Sequence, residues 1–163
     1  MTDMPRSQQA IDLCRKHADD ARAYSSVAMS AQIEAMLAKY VSSTIYAEAE
    51  ATIVSLTAAR AAHQTSDTRL KAFGKVAAKK LIRSIKIGDL AGILGHFDAA
   101  CKARFQDELN DQLRTDWDSL IQARHSVAHD QGAVVSHLTL LDIERFFPSV
   151  SEVLDVYAVS LHV

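Results

Sequence analysis

Apolar residues recur every three or four positions along most of this chain, and strand-like alternation is hard to find. That pattern predicts helices. The first covers about Ser7 to Ala38, with Ile11, Cys14, Ala18 and Ala21 and then Val27, Met29, Ile33, Met36 and Leu37 as apolar positions. Tyr24-Ser25-Ser26 is a place where it could break or bend. A better patterned helix covers about Tyr40 to His63, where Val41, Ile45, Thr52, Ile53 and Leu56 share a face. Glu48 falls on that same face, and Glu50 falls off it. A third helix starts near Ser66 or Asp67 as N-cap and runs to about Ile85, with Leu70, Phe73, Ala77, Leu81 and Ile85 as its inner stripe. Gly88, Gly92 and Gly95 then frame a short hinged turn of helix, Asp89 to Leu94.

The fourth main helix is expected from about Asp98 to His129, with Phe105, Leu109, Leu113, Trp117, Leu120, Ile121 and Val127 inward and Gly132 as a stop. Thr139 and Asp142 form a capping pair for a last helix to about Leu161. Pro148 should kink or split that helix. The fold expected is all-α: an antiparallel helical bundle of four to five main helices with a short hinged helix. No repeat or long linker divides the chain, so residues 1–163 are read as one helical domain.

Composition sharpens this reading. The 163 residues include only 5 Gly and 2 Pro, and neither occurs from Arg6 to Phe73, which favours long helices. A formal net charge of −2 gives no global sign of a nucleic-acid binder, so any such surface must be a local patch. Cys14 and Cys101 have no metal-ligand spacing and read as free thiols in a reducing compartment. No basic-then-apolar leader opens the sequence and no apolar run is long enough to span a bilayer, so a soluble cytoplasmic protein away from membranes is expected.

The chemistry concentrates in Arg124-His125-Ser126-Val127-Ala128-His129. An Arg holds a phosphate well, and a His exchanges a proton near neutral pH. Together they support phosphodiester cleavage, the His as acid or base and the Arg on the charge that builds at phosphorus. Two other readings attach to these residues. Cations near a helix C-terminus favour the helix dipole. His125 and His129 at i,i+4 have the spacing of a metal pair, although no Cys lies close by. No metal or other cofactor is assigned. By the helical step, Arg124 and His129 lie about 140° apart, so one copy of the motif looks incomplete.

Lys71, Lys75 and Lys79 recur every four residues on one face of the third helix, and Lys80, Arg83 and Lys86 broaden it. Such a row could follow a phosphate backbone or could be a solvated face. Glu48 on an apolar stripe is costly unless paired, and Arg124 is one partner that would settle both groups.

Taken together, these features resemble the HEPN superfamily, small all-α bundles marked by an Arg, four to six residues, then a His. Arg124 and His129 match that motif, and His125 fills the polar position after the Arg. The segments Ile87-Gly88-Asp89-Leu90-Ala91-Gly92-Ile93-Leu94 and Leu141-Asp142-Ile143-Glu144-Arg145-Phe146 are similar to the bacterial RiboL-PSP-HEPN-like branch. The resemblance implies a metal-independent endoribonuclease with Arg124 and His129 catalytic, His125 and Glu48 assisting, and Lys75, Lys79, Lys80 and Arg83 on the RNA. It implies a homodimer with the site at its interface, and a toxin–antitoxin or phage-defence setting with an antitoxin as possible partner. Gln131 stands where some HEPN toxins carry a modified Tyr, which argues against that mode of neutralisation. The alternative is a non-catalytic helical protein-interaction module.

Overall fold

The structure, a computed structural model, describes residues 2–63, 65–128 and 138–162, with the backbone alone over 124–128. Its elements are α1 (Pro5–Tyr24), α2 (Val27–His63), α3 (Thr68–Leu81), α4 (Ile87–Gly95), α5 (Ala99–Glu108), α6 (Asp111–Ala128) and α7 (Leu140–Ser160). No strand occurs among the described residues, and the fold is an all-α bundle. No helix among them is long and apolar enough to cross a membrane.

The first break lies at Ser25-Ser26, not near Lys39. Tyr24 closes α1, and α2 then runs unbroken for 37 residues. Nothing near Lys39 removes a helical hydrogen bond. Ser42 and Thr44 there turn their hydroxyls back onto the carbonyls of Ala38 and Tyr40 at 2.9 and 3.0 Å, so they stay inside the helix.

α2 is the central helix and packs on α1, α3, α6 and α7. Ser7 meets Glu48 while Arg22 meets Glu34, so α1 and α2 run antiparallel. Thr2 meets Asp155 while Arg15 meets Glu144, so α1 is antiparallel to α7 as well. The core lies between these helices. Val41, Ile45 and Ile53 of α2 face a set that includes Phe105, Trp117, Ile143, Leu154 and Tyr157. Phe105 and Tyr157 meet edge to face, ring centres 5.9 Å apart. Cys14 and Cys101 are separate buried thiols, and burial raises the pKa of Cys14.

The single helix expected from Asp98 to His129 is two helices, α5 and α6, with Leu109 and Asn110 between them. Side chains satisfy both new ends. Asn110 Oδ1 accepts from Leu113 N at 2.9 Å, starting α6. Arg114 reaches back, donating to Gln106 O at 2.6 Å and Leu109 O at 3.1 Å, closing α5. Leu109, Leu113, Trp117, Leu120 and Ile121 are buried as the periodicity requires.

α3 begins at the expected cap, with Asp67 Oδ1 accepting from Arg69 N at 2.7 Å, but it stops at Leu81. Ile82 turns extended, and Ile82 and Ile85 enter the core from a connector, not from a helix. The Trp117 indole N–H donates to Ile85 O at 2.8 Å and ties that connector to α6. α4 starts two residues earlier than expected, at Ile87. The Thr139–Asp142 capping box is present, and its hydrogen bonds hold the Asp142 carboxyl below its ordinary pKa. Pro148 lies inside a continuous α7 and does not split it.

Candidate functional site

The motif begins in the last residues of α6, at Arg124. The helix backbone continues through Arg124 and His125 to Ala128; His129 lies outside the described residues, as do the side chains of Arg124 and His125. The metal-pair reading of His125 and His129 and the Gly132 stop fall outside them too. What is described is the foundation. One turn and two turns before Arg124, the inner face of α6 is locked by Leu120 and Trp117, 2% and 0% exposed.

A cleft of about 450 Å³ runs beside this part of α6, lined by Lys86, Ile87, Gly88, Asp118, Ile121 and Gln122. It forms where the start of α4 meets α6. Lys86 is the N-cap of α4 and makes no side-chain cap, so the cleft has a cation and the positive end of a short helix on one wall. Asp118 faces them from the other wall.

The basic residues divide. Lys75, Lys79 and Lys80 are exposed on α3, which packs on α2. Arg83 is exposed but lies past the end of α3, in the connector that Trp117 ties to α6. The expected continuous row of helix positions to Lys86 is therefore interrupted: the helix supplies Lys71, Lys75, Lys79 and Lys80, and Arg83 and Lys86 follow the connector.

Glu48 is half-buried on α2, and its described hydrogen bonds go to the start of α1. Its carboxylate accepts from Arg6 N at 3.2 Å, Ser7 N at 2.7 Å and Ser7 Oγ at 2.6 Å. Met4, the N-cap residue, has no side-chain acceptor to offer. The apolar-stripe carboxylate thus caps a different helix, which satisfies orphan N–H groups and places a negative charge at the positive end of α1.

One residue of the same kind was missed. Asp116 is 4% exposed on α6, and its two oxygens accept from Gln112 Nε2 at 2.6 Å and from Ser149 Oγ of α7 at 2.7 Å. The signal was legible: Asp116 falls between Leu113 and Leu120 on the inner stripe, the same conflict that singled out Glu48. No protein-family model, no curated protein and no solved structure matches this chain.

Proposed function

We propose that this protein is a metal-independent endoribonuclease of the HEPN type, acting as a cytoplasmic homodimer in a toxin–antitoxin or phage-defence setting. The observation that supports the reading is the sequence Arg124, four residues, then His129, with Arg124 in the last part of α6, whose earlier residues Trp117 and Leu120 are buried in the core. His129 takes the proton of a ribose 2′-OH or returns one to the leaving oxygen. The 2′-oxygen bonds to phosphorus, the bond from phosphorus to the 5′-oxygen breaks, and the products are a 2′,3′-cyclic phosphate and a 5′-OH. Arg124 holds the phosphoryl oxygens while their charge builds. His125 assists in placing the phosphate, and the exposed Lys75, Lys79, Lys80 and Arg83 bind the backbone without reading bases. The described hydrogen bonds of Glu48 favour an indirect part for it, holding α1 against α2.

The test is cleavage of RNA by the purified protein in EDTA, with the ends analysed. Arg124→Ala and His129→Ala should each abolish cutting while circular dichroism stays helical. Equal cutting by both variants would end the assignment.

A second reading, a non-catalytic interaction module, is favoured by one observation: α3 exposes large apolar side chains, Phe73 at 70% and Leu81 at 61%. A stoichiometric partner, with no RNA cleavage after that partner is stripped away, would select it.

A further inference from the structure

The expected inner stripe of α3 is not inside. Leu70, Phe73 and Leu81 are all more than half exposed, as is Val76, and Ala78 is the buried residue of the helix. The reason is how α3 docks. Gly74 approaches α2 so closely that a Cβ there would stand 3.2 Å from Ala61 Cβ. The helix therefore packs through its small residues, and its large ones project beside the contact. Leu70, Phe73 and Leu81 form one wall of an open apolar groove of about 370 Å³, with Thr57 and Ala61 of α2 at its base and Ile93 and Phe97 opposite.

Charge distinguishes this surface from the rest of the molecule. Residues 68–88 hold seven of the 18 Lys and Arg side chains and no carboxylate. Outside this stretch acidic residues are interspersed with the basic ones, and three cations have carboxylate partners: Arg15 with Glu144, Arg22 with Asp19 and Glu34, Arg104 with Glu108. Among the described residues, none of the seven has a carboxylate partner. By the helical step, Arg69 and Lys80 flank Phe73 within about 40° on the exposed side of α3. An apolar groove bordered by unpaired cations lacks its acidic complement.

We propose that this groove, between α2, α3 and α4, docks an amphipathic helix of another protein, whose apolar residues at i, i+3 or i+4, and i+7 enter it and whose flanking Asp and Glu meet Arg69 and Lys80. A second copy of this chain is disfavoured, because a two-fold contact would set the cations of α3 against themselves. An RNA strand gains little from Leu70, Phe73 and Leu81, and a flat lipid surface cannot reach the floor of a concave groove. The inference does not rest on the nuclease reading, since binding is measured whether or not RNA is cut.

The probe is a display library of helical peptides selected on the full-length protein. The expected winners carry apolar residues at helical spacing flanked by Asp and Glu. A synthetic winner should bind at least about tenfold more weakly to Phe73→Asp and to Lys80→Glu, and more weakly at high salt. Because both side chains are exposed, circular dichroism should match the unsubstituted protein. A basic-flanked copy of the same peptide should lose a similar factor. Enrichment of neutral or basic sequences, no enrichment, or equal binding to Phe73→Asp would overturn the proposal. So would binding to phosphatidylserine vesicles or to an oligouridylate that is tighter than to the selected peptide and is lost in Phe73→Asp, or self-association that Phe73→Asp abolishes.

Discussion

α3 and α6 have the same kind of sequence and opposite fates. Each repeats large apolar residues at helical spacing and each carries cations on other faces. In α6 the repeat is covered: Leu113, Trp117, Leu120 and Ile121 are all at most 4% exposed. In α3 the repeat Leu70, Phe73, Leu81 stands in solvent. The difference comes from residues between the large ones. Trp117 is matched by a connector whose Ile85 carbonyl takes its N–H, so a large side chain has a shaped place to go. In α3, Gly74 lets the backbone approach α2 before Phe73 or Leu70 can insert. Periodicity thus identifies an apolar face; whether anything covers it depends on which side of the helix touches first.

The strongest test of that contrast is a pair of truncations. Trp117→Ala should cost about 3–5 kcal/mol, through a large cavity and an unpaired Ile85 carbonyl, whereas Phe73→Ala should stay within about 0.5 kcal/mol. Urea unfolding of both variants measures it, and similar midpoints would erase the distinction between the two helices.

The covered side should also carry an alkaline signature. Burial pushes the Tyr157 hydroxyl up to about 12 against the opposing hydrogen bond with Thr57, 2.8 Å away. The unfolded chain releases this proton near the ordinary phenol value, and the folded chain holds it longer. Stability from Tyr157 is therefore full below about pH 10 and falls as pH rises toward 12, by about 2 kcal/mol. Tyr157→Phe should flatten the pH profile of unfolding over that range, and an unchanged slope would show that the hydroxyl is not buried as described.

The smallest effect concerns the approach of α3 to α2. Gly92 has open space around it inside α4, so Gly92→Ala should stabilise by about 0.5–1 kcal/mol. Gly74→Ala has the same helix-forming advantage but must push against Ala61, so its gain should vanish or reverse. Equal gains at both positions, read as thermal midpoints, would mean that α3 is not held close.

Several features were legible from the residues alone because their causes are local. The Asp67 cap, the Thr139–Asp142 box and the possible break at Tyr24-Ser25-Ser26 each depend on neighbours within one turn. Others were not. The α5–α6 break needs Asn110 and Arg114 to serve two helix ends at once, although the apolar spacing runs straight through it. The charge conflict of Glu48 was visible, but its resolution lay 41 residues away at Ser7.

The sequence by itself determined that the chain is helical, which face of α6 is inside, and where an Arg and a His stand with four residues between them, since those follow from helical spacing, short-range hydrogen bonding and the order of residues. The tertiary structure decided which carboxylates are spent on helix ends and on Ser149, where α3 stops, and that its apolar stripe faces outward. Those outcomes turn on which surfaces meet at close range, and the close approach at Gly74, where an added Cβ would stand 3.2 Å from Ala61 Cβ, belongs to two helices together, not to either sequence segment alone.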